Sequence, residues 1–174
     1  MKGTYQSQLS RLSNDGGFAV VDLETTGLDA AQDRIVEIAI VRTRSTGEVV
    51  DEWWSFANPG AGRSSRSIHG IDSSDLATAP AFAELADVIS DRIGCLPVVA
   101  HNADFDIAFL SREYSRAGFQ PPDPVVVCTL KESHRYLPRL RRRRLVDCCR
   151  AVGVENPAPH TALGAVSYTH LTLP

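Results

Sequence analysis

No apolar run in this sequence approaches the roughly 18 residues needed to cross a bilayer, so a membrane-spanning helix is not expected. Its four cysteines, Cys95, Cys128, Cys148 and Cys149, lack metal-ligand spacing, and the adjacent Cys148 and Cys149 are poor partners for each other. Residues 1–17 are polar, end in Asn14-Asp15-Gly16-Gly17, and read as a disordered lead-in rather than a secretory leader. Reduced thiols and a cytoplasmic location are therefore expected. Excess positive charge is also missing. The chain has 18 Lys and Arg against 21 Asp and Glu, a net charge of −3. That excludes a global pull toward nucleic acid or an anionic membrane, so any polyanion must be met by a local patch. Internal repeats are absent. What remains is a 174-residue chain, 43% hydrophobic, which suits one domain of about 100–200 residues with a real core.

The apolar pattern predicts an alternation of strands and helices. Phe18–Glu24 and the Ile- and Val-rich 34–44 read as strands, the second turning at Ser45-Thr46-Gly47-Glu48 into a hairpin partner over 49–56. A Gly/Ser/Pro loop covers 58–67. Phe82, Leu85, Ala86 and Ile89 fall at helical spacing over 80–93, between a leading Pro and Gly94. A short strand over 97–100 precedes a helix over 104–117 closed by Gly118, and a fifth strand covers 125–128. Residues 144–152 read as a helix ending at Gly153, and His160 is expected to open a last one. This order implies an α/β fold whose sheet contains an antiparallel hairpin.

Three short motifs stand out: Asp22-Leu23-Glu24-Thr25-Thr26-Gly27, His101-Asn102-Ala103-Asp104-Phe105-Asp106, and His160-Thr161-Ala162-Leu163. Residues i and i+2 of a strand share a face, so Asp22 and Glu24 present two carboxylates together at a strand's carboxyl end, where open α/β sheets hold ligands. Close carboxylates repel unless a cation sits between them, and their hard oxygens favour Mg²⁺ or Mn²⁺. Gly27 permits close backbone approach. Asn102 and Asp106 share a helix face if the turn starts at Asn102, which makes Asp106 a third metal carboxylate. His160 has the chemistry to take a proton from water near neutral pH.

Taken together these motifs resemble the DnaQ-like 3′–5′ exonucleases of the DEDDh type, the family that includes the proofreading subunit of bacterial DNA polymerase III. The resemblance covers about Phe18 to Ala165, and Ser67-Ile68-His69-Gly70-Ile71, Cys128-Thr129-Leu130 and the 145–154 segment add to it. It implies a ribonuclease H-like fold, with a mixed five-stranded sheet flanked by helices. It implies that Asp22, Glu24 and Asp106 hold two divalent cations, with His160 as general base. It places the backbone of Thr25, Thr26 and Gly27, with His69 and Asn102, against the terminal nucleotide. The implied partner is a single-stranded DNA 3′ end, with a DNA polymerase subunit as companion and no membrane.

One position breaks the family's pattern. Its Asp five residues after the histidine is Ala165 here. The following Val166–Pro174 matches one reading frame of a transposase sequencing adapter throughout. In that frame the adapter completes a codon whose first base is G, giving Ala where an Asp codon would also begin with G. The expected layout is a lead-in over 1–17, an exonuclease domain over 18–165 with its last helix cut short, and a non-native tail over 166–174. A site short of one ligand is expected to hydrolyse DNA weakly or not at all.

Arg139 and Arg141–Arg144 form the densest charge of the chain. They read either as phosphate contacts or as a solvated loop. Trp53 and Trp54 face opposite sides of their strand, one of them toward the core. Two alternatives to the DNA exonuclease stand beside it: an exoribonuclease of the same fold, and a binding or scaffold module if Ala165 is genuine.

Overall fold

The computed structural model describes residues 16–60, 71 and 73–154. His69, His160, Ala165, most of the lead-in and the 166–174 tail lie outside them. Five strands, β1 (Phe18–Thr25), β2 (Ile35–Thr43), β3 (Val49–Phe56), β4 (Val98–Ala100) and β5 (Val126–Cys128), form one sheet in the order β3-β2-β1-β4-β5. β2 runs antiparallel to both β1 and β3, and β1, β4 and β5 run parallel to one another. The helices are α1 (Ser73–Thr78), α2 (Phe82–Ile93), α3 (Ala103–Ala117), α4 (Thr129–Tyr136) and α5 (Leu145–Ala151).

The alternation of β1 sorts its residues between two cores. Ala19, Val21 and Leu23 join Ile38 and Ile40 of β2 on the face packed by Phe82, Leu85, Ala86, Ile89 and Ile93 of α2 and by Phe109, Leu110 and Tyr114 of α3. Each large side chain buried there contributes about 1.5–3 kcal/mol. The Tyr114 hydroxyl finds partners in this core, Ser90 Oγ at 2.8 Å and the Ala86 carbonyl at 3.0 Å. Val20 lies on the other face with Ala39, Val41, Val99 and Val127. Asp22 and Glu24 continue that second face toward the carboxyl end of β1.

β3 is an edge strand, and its two tryptophans divide as expected. Trp53 packs against the larger core under the Arg92 guanidinium, 5.3 Å from the ring centroid. Trp54 is 48% exposed and meets Phe56 edge to face. Arg92 also pairs with Asp51 of β3. The hairpin turn closes through Arg44 N–H to the Glu48 carbonyl, with Gly47 at φ 84 in the left-handed region that glycine tolerates.

Two helices depart from the sequence expectation. α1 is six residues long and buries only Leu76, too short for a periodicity window. α4 follows directly from β5, and its buried positions are Thr129 and Ser133, so it has no apolar stripe to announce it. α3 begins at Ala103. Asn102 is its N-cap at φ 71, outside the helix, so it does not share a helical face with Asp106 as the spacing suggested. All four cysteines are free. Among the described residues no helix is long and apolar enough to cross a membrane.

Candidate active site

The acidic corner is assembled from three elements. β1 supplies Asp22 and Glu24, α3 supplies Asp106 in its first turn, and β2 supplies Glu37, which stands directly opposite Glu24 in the antiparallel register. Directly opposed like charges are unfavourable in a sheet, yet Glu37 is only 5% exposed. Glu37 belongs to none of the three sequence motifs. Its signal was a lone carboxylate inside the otherwise apolar run Ile35–Val41.

Burial and mutual repulsion push Asp22, Glu24 and Asp106 toward their neutral forms. Burial, then Asp106, Glu24 and Glu37, holds Asp22 well above the usual carboxylate range. Glu24 rises from 4.5 to about 7, through burial and then Glu37. Asp106 rises from 3.8 to about 8, chiefly by burial and further by Glu24, although its own backbone N–H and that of Leu23 favour the charged form.

The loop between β1 and β2 is held as one piece. Thr25 Oγ1 donates to the Gly27 carbonyl at 2.6 Å, and Thr26 Oγ1 donates to Asp33 Oδ1 at 3.0 Å while accepting the Arg34 N–H. Both threonine hydroxyls are thus occupied within the loop. A Cβ on Gly27 would lie 2.4 Å from the Asp33 carboxylate, so this position has no room for a side chain. Glu113 of α3, 1% exposed, fastens the same loop. It takes a bidentate pair from Arg34, at 2.5 and 2.9 Å, and a third contact from Arg116 at 3.0 Å. Arg116 also donates to the carbonyls of Asp33, Ala30 and Ala31. The β1 carboxylates and the helix bearing Asp106 are therefore joined through a paired ionic cluster.

Asn102 is exposed at the β4–α3 turn. Its neighbour His101 points inward, with Nε2 2.8 Å from the Arg143 carbonyl and Nδ1 2.9 Å from Thr129 Oγ1. A carbonyl can only accept, so Nε2 carries a proton. Burial lowers the pKa of His101; in the neutral ring Nδ1 accepts from Thr129. Thr129, in the Cys128-Thr129-Leu130 segment, is thereby tied to the turn before Asp106.

The structure thus brings Asp22, Glu24, Asp106, Thr25, Thr26, Gly27 and Asn102 to one end of the sheet, while His69, His160 and Ala165 lie outside the described residues. Carboxylate oxygens are hard donors suited to Mg²⁺ or Mn²⁺, and a divalent cation would relieve the repulsion among them. Among the described residues, however, no three His, Cys, Asp or Glu side chains converge tightly enough to form a metal cage. The donor chemistry fits a divalent ion, and the described groups supply part of a shell.

A five-stranded mixed sheet with helices on its faces and acidic groups at the carboxyl end of β1 defines the class as a ribonuclease H-like exonuclease fold. Solved structures agree on the fold. The zinc-bound E. coli exonuclease I–single-stranded DNA complex superposes with a TM-score of 0.77 at 22% identity, over 91% of this chain and 39% of that one. A product-bound exonuclease I gives 0.77 at 19%, over 91% and 43%. A family model described as Exonuclease, the RNase T type, matches residues 19–167. The PolC-type DNA polymerase III of Oceanobacillus iheyensis is 39% identical over 151 residues, 84% of this chain and 10% of that protein. Those of Bacillus cereus and Staphylococcus aureus are 32% and 33% identical over 90% and 86% of this chain. The chain belongs to this exonuclease family, in its DnaQ-like branch, and spans about a tenth of the length of these curated relatives.

Proposed function

We propose that this chain is a metal-dependent 3′–5′ exonuclease domain acting on the 3′ end of single-stranded or frayed DNA, in proofreading or repair. The observation that carries the reading is the convergence of Asp22, Glu24 and Asp106 at one end of the sheet, where burial and mutual repulsion raise all three carboxyls. These three carboxylates would hold two Mg²⁺ or Mn²⁺ ions. When bound, such ions supply positive charge against the phosphodiester and its leaving oxygen and make a water more acidic. His160 takes the proton of the attacking water. The backbone of Thr25 to Gly27, with Asn102 and His69, lies against the terminal nucleotide and orients its phosphodiester. DNA is favoured over RNA by the PolC-type relatives. A polymerase companion and a cytoplasmic setting fit the same relatives.

In this reading Ala165 occupies the position of a fourth carboxylate, residues 18–165 form the catalytic domain, and 166–174 are not native. The test is a 5′-labelled single-stranded oligonucleotide incubated with Mg²⁺. The chain as it stands is expected to shorten the strand weakly from its 3′ end. Ala165→Asp is expected to raise the rate by at least roughly tenfold, the equivalent of about 1.4 kcal/mol of transition-state stabilisation. Near-normal turnover with Ala165 in place would contradict the role given to position 165. No hydrolysis by either chain would contradict the exonuclease reading.

A further inference from the structure

Charge in this chain is strongly segregated. Residues 131–150 hold eight of its 18 Lys and Arg against two of its 21 Asp and Glu, a net of +6 within a chain of net −3. The arginines of this stretch do different jobs. The Arg143 guanidinium donates to the carbonyls of Ser133 and Leu137, at 2.8 and 2.9 Å, and so closes the end of α4. Arg144 pairs with Asp147 at 2.8 Å across the first turn of α5. Arg139, Arg141 and Arg142 are exposed and make no ion pair among the described residues.

The segment between α4 and α5 is nonetheless built in place. Its anchor is Arg143, tied to α4 by its side chain and to His101 by its carbonyl, which accepts from Nε2 at 2.8 Å. The Cys148 thiol also reaches that carbonyl, at 3.8 Å. His101 directly precedes the N-cap of the helix whose first turn bears Asp106. The arginine-bearing segment is therefore registered to the acidic corner through one side chain, and three guanidinium groups project from it with no acid among the described residues to neutralise them.

We propose that Arg139, Arg141 and Arg142 form a phosphate-binding arm for the nucleic-acid strand whose end is cleaved at the acidic corner. The proposal rests on the nuclease reading for the identity of its ligand. Guanidinium forks match phosphate oxygens bidentately. Such contacts position a strand without reading its bases, so the arm takes the sugar-phosphate backbone of a single strand, DNA or RNA alike. It resolves how a chain of net negative charge, with a carboxylate cluster at its site, holds a polyanion: acidic and basic functions are separated in sequence and joined through His101.

The test is equilibrium binding of a fluorescent single strand of about 16 nucleotides, in EDTA so that nothing is cleaved, from about 50 to 200 mM salt. Three proteins are compared: the chain itself, the triple variant Arg139→Ala, Arg141→Ala, Arg142→Ala, and the triple Arg→Lys variant. Each phosphate contact on a single strand adds about 0.7 to the salt slope. The alanine variant should therefore be shallower by about 2 and bind at least roughly tenfold more weakly at the lowest salt. The lysine variant should keep most of the slope, and an RNA strand of equal length should show the same loss. Unchanged slope and affinity with both strands would overturn the proposal and leave the arginines to solvent or a protein partner. Failure of the nuclease reading shows separately, as absence of hydrolysis with binding intact.

Discussion

Asp106 and Glu113 stand about two turns apart on α3, at 3% and 1% exposure. The fold treats them in opposite ways. Glu113 receives Arg34 and Arg116, and through them it locks the loop between β1 and β2 to the helix. Asp106 receives two backbone N–H groups and the charges of other carboxylates, and its pKa climbs to about 8. Burying a charge is costly unless it is paired. Among the described residues the fold solves the problem with two arginines at one position and with backbone N–H groups alone two turns away, which supports the proposal that a bound cation completes the second position. Glu113 serves the architecture, and in the proposed reading Asp106 serves the chemistry.

That contrast can be broken by mutation. In the chain carrying Ala165→Asp, Asp106→Asn should lower metal-dependent hydrolysis on the order of a hundredfold or more. Its melting temperature in chelator should be unchanged or higher, because a repelled carboxyl has been neutralised. Glu113→Gln should do the reverse. Removing one partner of a fully buried pair costs roughly 3–5 kcal/mol. Arg34 and Arg116 are about a quarter exposed, so about 2–3 kcal/mol is expected in urea unfolding once solvent screening is allowed for. Equal stability losses in the two variants would erase the distinction.

The pH dependence of stability sharpens the same comparison. Glu24 and Asp106 hold protons in the folded chain at pH values where the unfolded chain has released them. The native state then binds more protons than the unfolded state, and stability falls as pH rises. Their contribution is fully present below about 4 and is lost progressively as pH passes about 7 for Glu24 and 8 for Asp106. Melting curves in EDTA should show this decline, and Mg²⁺ should reduce it. A melting temperature that rises across this interval in EDTA would contradict the shifts. His101→Ala should have a smaller effect, about 1–2 kcal/mol in urea unfolding, by removing the donor to the Arg143 carbonyl. A change below a few tenths would mean that water replaces the imidazole at no cost.

Much of this architecture is legible in residue pattern. The Ile/Val run of β2, the turn at Gly47 and the alternation of β1 suffice for the hairpin and for placing Asp22 and Glu24 on one face. Gly118, at φ 79, ends α3 where a glycine signal says it should. Features without an apolar signature stay hidden. α4 is polar along nearly its whole length, and α1 is a single short turn and a half. Asn102 looks helical by spacing but adopts a left-handed conformation, a choice set by the β4–α3 junction. Glu37 enters the site only through strand register, which sets it opposite Glu24. The arginine run reads as one feature, whereas the fold bonds Arg143 and Arg144 to nearby groups and leaves Arg139, Arg141 and Arg142 exposed without an ion pair among the described residues.

The most direct test is calorimetric titration of Mn²⁺ into the chain and into Asp106→Asn near neutral pH, in buffers of different ionisation enthalpy. Carboxyls held partly protonated by burial must release protons when a cation binds. Binding to the chain with measurable proton release is expected, with loss of most of both in Asp106→Asn. Equal affinity and equal proton release in the two proteins would contradict the assignment of the acidic corner as the metal site.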